Sequence, residues 1–251
     1  IEQALKLLNS VESDPSASAI IQSNAAFRRA SILMQAAQPS TSQGVKSIVA
    51  AAREFVSKYP SDIRAARILV EAATVCDEIP STKRGLLEEA KRLTTEELLL
   101  LRIADDLARL DRLGKPLELS MPTLSGGTLD LSTYRGKPVL LIFWSSQAPQ
   151  SLLWLRDFRT DWEKLGSSAP QVVTVSLDTS RKEAAARAKS FPPAWAVGYE
   201  EGGWESPTAR KLGINALPTI WSINPDGTLE SLNARSRWKA WISSGVGGKV
   251  P

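Results

Sequence analysis

Residues 139–151 read Val-Leu-Leu-Ile-Phe-Trp-Ser-Ser-Gln-Ala-Pro-Gln-Ser, and this stretch decides how the second half of the chain folds. Its first six residues form a short continuous apolar run, which is typical of a central strand that is buried on both faces of a sheet. Apolar residues at Leu152, Leu155, Phe158 and Trp162 follow at helical spacing. The stretch therefore predicts a buried strand that leads into a helix over residues 150–165.

The same alternation continues towards the C-terminus. Residues 172–177 are a second apolar run, and the alanine-rich residues 180–190 predict a helix. The sequence further predicts a short strand at 195–197, a helix at 206–212, a strand at 219–223 and a hairpin turn at 224–228. Strands that alternate with helices indicate a mostly parallel sheet covered on both faces, and the final hairpin adds an antiparallel part. We therefore expect an α/β domain with a central mixed sheet flanked by helices.

The first half of the chain has a different composition. All eight tryptophans lie beyond residue 140, whereas residues 1–113 are rich in alanine, leucine and isoleucine. Their apolar spacing predicts four helices, over about 44–58, 61–78, 82–93 and 95–112. The second begins at Ser61 or Asp62, ends at about Glu78 and contains Cys76. Residues 55–66 resemble the turn of tetratricopeptide-like repeats, although no repeat of about 34 residues is visible. An irregular helical bundle is the alternative, and the expected domains are residues 1–113 (all-α) and 114–243, followed by a tail at 244–251.

The totals exclude several kinds of chemistry. The chain has no histidine, so Ser-His-Asp and Cys-His catalysis and imidazole-bound metal sites are excluded. It has one cysteine, Cys76, so neither an intramolecular disulfide nor a Cys-x-x-Cys motif can form. Residues 1–113 are neutral and residues 114–251 carry the formal net charge of +4, without a dense basic block. We therefore expect no metal, no cofactor and no nucleic-acid partner.

Four features of the second half together resemble the thioredoxin-like superfamily, in particular its TlpA/ResA-like branch and the neighbouring AhpC/TSA peroxiredoxins. They are the segment 127–138 with its Gly136-Lys137 pair, the strand that ends in Phe143-Trp144, the Ala-Leu-Pro-Thr sequence at 216–219 and the Asn-Pro-Asp-Gly turn at 224–227. The resemblance covers about residues 114–242. It implies a thioredoxin fold, with a cis-proline loop at Pro218.

The two active-site cysteines of that family are missing here. In the family the strand leads to Cys-x-x-Cys at a helix N-terminus, and the matching positions here are Ala148 and Ser151, with Pro149 retained between them. Disulfide exchange requires a thiolate and a second thiol that resolves the mixed disulfide. Alanine has no nucleophilic atom, and no histidine is present to activate the hydroxyl of Ser151. A peroxidatic cysteine would also align with Ala148, so we expect neither disulfide exchange nor peroxide reduction.

The resemblance implies that the peptide-binding groove of the fold remains. Peptides pair there with the backbone beside the cis-proline, and we expect Trp144, Pro149, Leu217 and Pro218 to line this groove. Trp204 and Trp221 are further candidates. The alternative for each tryptophan is packing in the core. The alternative for Pro218 is a cis bond that is present only because the fold needs it.

The sequence thus predicts a redox-inactive thioredoxin-like protein that binds a protein or peptide. One alternative is an oxidoreductase or peroxiredoxin-type enzyme that uses a thiol supplied by a partner, and another is a purely structural domain. No apolar stretch is long enough to span a membrane. The chain begins at Ile1 and not at Met, so we expect a trimmed or mature form. The resemblance to TlpA-like proteins implies a periplasmic or cell-envelope location.

Overall fold

The computed structural model of the chain describes residues 1–235. The expected tail at 244–251 and the expected domain end at residue 243 lie outside these residues. The chain divides into two compact units, Ile1–Ala108 and Arg109–Pro251. The first contains a run of helices, which are α1 (Glu2–Glu12), α2 (Ala19–Ala36), α3 (Ser42–Lys58), α4 (Ala65–Ala73), α5 (Pro80–Leu93) and α6 (Glu97–Leu110), the last of which continues into the second unit.

Helix α3 shows how the sequence specifies these elements. The hydroxyl of Thr41 accepts a 3.0 Å hydrogen bond from the Gly44 N–H and caps the first turn. Its apolar residues at helical spacing form one buried stripe, as predicted, which consists of Val45, Ile48, Val49, Ala52 and Val56. The helix ends at Lys58, before Tyr59-Pro60, because a residue that precedes proline disfavours the helical conformation.

Helix α4 is shorter than the sequence predicts at both ends. The Asp62 carboxylate accepts a 2.9 Å bond from the Arg64 N–H, and this local turn delays the helix to Ala65. The helix ends at Ala73, because the Cys76 N–H bonds to the Ala73 carbonyl at 3.1 Å in a tighter turn. Cys76 therefore lies in the turn after α4 and not inside the helix. It is fully buried.

The second unit contains a five-stranded mixed sheet and a separate two-stranded sheet. In the large sheet the strand order is β5-β4-β3-β6-β7, with β3, β4 and β5 parallel and with β6 and β7 antiparallel to their neighbours. The strands are β1 (Ser120–Pro122), β2 (Thr128–Asp130), β3 (Val139–Trp144), β4 (Gln171–Ser176), β5 (Ala196–Tyr199), β6 (Thr219–Ile223) and β7 (Leu229–Ser231). The helices are α7 (Pro149–Leu165), α8 (Arg181–Ala188) and α9 (Pro207–Leu212).

Strand β3 is the centre of the large sheet, and all six of its residues are buried, as the apolar run predicts. Alternate side chains enter two different apolar clusters, because successive residues of a strand point to opposite faces. Leu141 and Phe143 belong to one cluster. Leu140, Ile142 and Trp144 belong to the other, which also contains Leu155 and Phe158 of α7. The sheet therefore has a core on each face.

Both outer strands of the large sheet are covered by other segments of the chain. Beside β5, the Leu124 N–H donates to the Val197 carbonyl at 2.9 Å. Beside β7, the Gly114 N–H donates to the Leu229 carbonyl, and the Leu229 N–H donates to the Lys115 carbonyl, both at 2.8 Å. Neither outer strand presents a fully open row of main-chain groups.

Candidate functional site

The predicted site residues lie at the edge of the large sheet that is formed by the carboxyl ends of its parallel strands. Trp144, the last residue of β3, pairs with Ser176, the last residue of β4, and Ser176 pairs with Tyr199 at the end of β5. Thr219, the first residue of the antiparallel β6, pairs with Phe143. The segments that follow three parallel strands therefore meet the segment that precedes β6, and in open α/β sheets this edge is where ligands bind.

Ala148 and Ser151 occupy the start of α7. Ala148 is the N-cap residue, and no side chain caps this end of the helix. Ser151 lies in the first turn and is fully buried, on the same stripe as Leu155 and Phe158. Its hydroxyl has no hydrogen-bond partner among the described residues. The two positions therefore hold a methyl group and a buried hydroxyl, and neither supplies a nucleophile for sulfur chemistry.

A buried carboxylate organises the loop before α7. Oδ1 of Asp178 accepts bonds from the Ser145 hydroxyl at 2.6 Å and from the Ser146 N–H and hydroxyl at 2.8 Å. Oδ2 accepts a 2.8 Å bond from the Ser176 hydroxyl. Asp178 is only 2% exposed, so its carboxylate has little contact with water. The four donors supply the hydrogen bonds that water would otherwise form. The cluster fixes the path of the chain between β3 and α7.

The sequence analysis missed Asp178. The available signal was an aspartate two residues after the second buried strand, at the edge where Ser145 and Ser146 follow the first. Carboxyl ends of parallel strands share one edge, so this pattern could have indicated that a carboxylate and two hydroxyls lie close together.

The loop before β6 contains the predicted cis-proline. The Leu217–Pro218 peptide bond is cis, which confirms the interpretation of the sequence at 216–219. The Thr219 hydroxyl donates to the Ala216 carbonyl at 2.7 Å, and the Arg235 guanidinium donates to the Pro218 carbonyl. Leu217 lies between these two anchored carbonyls. Within residues 1–235 its N–H and C=O have no hydrogen-bond partner.

The structure corrects the expectation for Trp144. Its side chain is fully buried and packs edge-to-face against Phe191, with ring centroids 5.0 Å apart. It faces the core because alternation along β3 places it on the same side as Leu140 and Ile142. Trp221 is also buried, against Phe143 at 5.6 Å. Core packing, the alternative for these tryptophans, describes both.

The other predicted groove residues differ in exposure. Pro149 is exposed at the start of α7, Leu217 is half-buried, and Pro218 is buried. Trp204 is 43% exposed in the loop that follows β5. The accessible surface at this edge therefore includes Pro149, part of Leu217 and Trp204. Residues 1–235 contain no group of three or more acidic, histidine or cysteine side chains placed to hold a metal ion.

The single cysteine offers no substitute for the missing thiols. Cys76 belongs to the first compact unit and is fully buried. Its Sγ donates to the Ala72 carbonyl at 3.3 Å, and burial raises the pKa of the thiol. A buried thiol with a raised pKa is a poor nucleophile, because the reactive species is the thiolate.

Comparison with known proteins shows what the second unit resembles. Residues 114–232 match the model of the AhpC/TSA family. A thioredoxin-like protein from Bacteroides caccae covers 97% of this chain and is itself covered to 93%, with 15% identity and a TM-score of 0.57. A thiol-disulfide oxidoreductase from Bacteroides fragilis covers 51% of this chain and is covered to 98%, with 22% identity and a TM-score of 0.42. A search of curated proteins finds no match.

These comparisons establish the fold. The second unit has a thioredoxin-like fold with a mixed sheet and flanking helices, and a helical region precedes it, as the sequence predicts. No helix among residues 1–235 is both long enough and apolar enough to cross a membrane.

Proposed function

Starting from a thioredoxin-like domain that matches the AhpC/TSA family over residues 114–232, we propose that this protein is redox-inactive and binds an extended peptide segment of a partner. The binding surface is the sheet edge that carries Pro149, Leu217 and Pro218. The resemblance to TlpA/ResA-like proteins supports an extracytoplasmic setting for this binding.

The single observation that carries the binding proposal is the main chain of Leu217. Its N–H and C=O lack partners among the described residues, while the carbonyls of Ala216 and Pro218 on either side are bonded. A free N–H and C=O on one residue match the donor and acceptor that an extended peptide presents. The half-buried Leu217 and the exposed Pro149 add apolar surface beside them.

The absence of redox chemistry follows from three positions. Ala148 has no nucleophilic atom, the hydroxyl of Ser151 is buried, and the thiol of Cys76 is buried in the other unit. The scaffold around the missing sulfurs remains, because the cis-proline loop and the start of α7 lie at the same sheet edge. The protein retains a surface for a peptide and lacks the groups that would act on it.

The first experiment measures disulfide turnover. Wild type, Cys76→Ala and the double variant Ala148→Cys/Ser151→Cys are each assayed for dithiothreitol-dependent reduction of insulin and for peroxide consumption. We expect wild type and Cys76→Ala to match the protein-free rate, and the double variant to accelerate insulin reduction. Turnover by wild type that Cys76→Ala abolishes would refute the proposal.

The second experiment measures binding. A displayed library of random peptides is selected against wild type, and the affinities of the selected peptides are measured for Pro149→Glu and Pro225→Glu. Both prolines are exposed, but Pro225 lies in the turn after β6, at the opposite edge of the sheet. We expect at least about tenfold weaker binding for Pro149→Glu only. Failure to select any peptide would instead favour a purely structural domain.

A further inference from the structure

The segment that leads to the cis-proline is held by a residue 104 positions earlier in the chain. Nη1 of Arg109 donates to the Gly213 carbonyl at 2.9 Å and to Oδ1 of Asn215 at 2.6 Å. A Cβ placed on Gly213 would lie 3.4 Å from Cγ of Arg109, so the aliphatic stem also packs against this glycine. Asn215 precedes Pro218 by three residues.

The end of α9 explains why an arginine binds here. Gly213 has a positive φ of 69°, and the Ile214 N–H bonds back to the Ala209 carbonyl at 2.9 Å, which terminates the helix. The last carbonyls of a helix lack internal donors and carry partial negative charge. Arg109 binds the carbonyl of Gly213, directly after the helix, and Arg112 donates to the Lys211 carbonyl in its last turn. Two guanidinium groups therefore complete this helix end.

The arginines belong to the end of α6 and the turn after it. Helix α6 begins at Glu97, in the first compact unit, and ends at Leu110, in the second. Arg109 lies in its last turn. The position of Arg109 is thus fixed by a helix of 14 residues and not by a loop.

We propose that Arg109 is a positioning residue for the peptide-binding loop. Through Arg109, the end of α6 sets the position of the Leu217 main chain. This inference rests on the proposed function and names how that site is controlled. Arg109 fixes Gly213 and Asn215, and the Thr219 hydroxyl fixes Ala216 from the other side. An interaction that shifts or bends α6 therefore changes the affinity of the groove without contact with the peptide.

The test removes the guanidinium and keeps the stem. Arg109→Met is compared with Arg102→Met, a matched change at an exposed position of the same helix. Amide exchange is followed by NMR in the full chain at Gly213 and Ile214, whose N–H groups bond to the Arg210 and Ala209 carbonyls at 3.1 and 2.9 Å, with Leu141 in β3 as the internal standard for global opening. We expect exchange at Gly213 and Ile214 to rise at least about tenfold in Arg109→Met only, with Leu141 unchanged.

Two further measurements separate positioning from general stability. Arg109→Lys keeps the charge but loses the planar guanidinium and its fixed donor geometry, so its exchange rates should fall between those of wild type and Arg109→Met. Affinity for a peptide selected on wild type should fall about fivefold or more in Arg109→Met and remain unchanged in Arg102→Met.

The outcomes are distinct for the two proposals. Unchanged exchange at Gly213 and Ile214, or faster exchange with unaltered peptide affinity, overturns the role of Arg109. A library that yields no peptide defeats the proposed function, and the exchange rates still decide whether Arg109 positions the loop. Equal acceleration at Leu141 would show that the variant only destabilises the whole domain, which also overturns the proposal.

Discussion

The hydroxyl of Ser145 donates a 2.6 Å hydrogen bond to Oδ1 of Asp178, and this contact joins the chain after β3 to the chain after β4. Both residues are buried. The carboxylate is shared with Ser146 and Ser176, so one aspartate satisfies donors from two neighbouring strand ends. The loop between β3 and α7 is therefore held by a polar network that contains no sulfur.

Asp178→Ala should destabilise the second unit by about 2–4 kcal/mol, because it leaves the hydroxyls of Ser145 and Ser176 buried without their acceptor. Urea unfolding followed by tryptophan fluorescence measures this, since all tryptophans lie beyond residue 140. Asp161→Ala is the control, because Asp161 forms only a partly exposed pair with Lys164 at 2.7 Å. Equal losses in both variants would contradict the importance of the network.

Ser151→Ala should leave stability unchanged or increase it by up to about 1–2 kcal/mol, because the buried hydroxyl forms no hydrogen bond with any described residue. Ser222→Ala is the matched control. Its hydroxyl is equally buried but donates to Oε2 of Glu230 at 2.8 Å, so this variant should lose about 1 kcal/mol. The same fluorescence-detected unfolding compares them. A clear loss for Ser151→Ala would show that a bound water or ligand uses the hydroxyl.

Gly44→Ala should destabilise the helical region by about 1–3 kcal/mol, although alanine is the better helix former. A Cβ at Gly44 would lie 1.8 Å from the carbonyl oxygen of Gln38, so the backbone would have to move. Gly85→Ala, inside α5, would meet only a side-chain nitrogen of Arg53 at 3.7 Å. It should gain about 0.5–1 kcal/mol. Thermal unfolding followed by circular dichroism compares the two variants. A change of stability in the same direction for both would contradict this prediction.

The pH dependence of stability should include a contribution from Asp62. The side-chain hydrogen bond from Arg64 lowers the pKa of Asp62 to about 2, below the value of about 3.9 in an unfolded chain. The lowered pKa means that the stabilisation, about 2 kcal/mol, is present above pH 4 and is lost as the pH falls towards 2.

Asp62→Asn should therefore be less stable than wild type at pH 7, and the two should converge near pH 2. Urea unfolding at pH 7, 4 and 2, followed by circular dichroism, gives the difference. The exposed Asp157→Asn is the control and should show little difference at any pH. A difference in the free energy of unfolding between wild type and Asp62→Asn that persists unchanged at pH 2 would contradict this contribution of Asp62.

The sequence predicts the strands better than the side chains at their ends. The apolar run at 139–144 could only be buried on both faces, and β3 is buried at every residue. Alternation along β3 places Trp144 on the same face as Leu140 and Ile142, but no local pattern records that Phe191 covers this face at the end of the strand. The cis-proline at 218 could be predicted from residues 216–219, because that short sequence resembles a family motif.

Contacts between distant parts of the chain were beyond sequence reasoning. Arg109 and Asn215 are 106 positions apart, and a single arginine at a helix end is common on solvated surfaces. Asp62 illustrates a local failure: a cap at Ser61 or Asp62 was expected to start α4 directly, but the ion pair with Arg64 holds an extra turn first. Side chains that compete with the helix for backbone donors shift its boundaries by a few residues.

The covered outer strands of the large sheet bear on how the protein behaves when concentrated. Leu124 occupies the free side of β5, and Gly114 and Lys115 occupy that of β7. Outer strands that are covered in this way offer fewer main-chain groups for pairing with the sheet of a second copy, and such pairing is a common route to aggregates. The large sheet should therefore resist edge-to-edge pairing through β5 and β7, even at the millimolar concentrations that NMR needs.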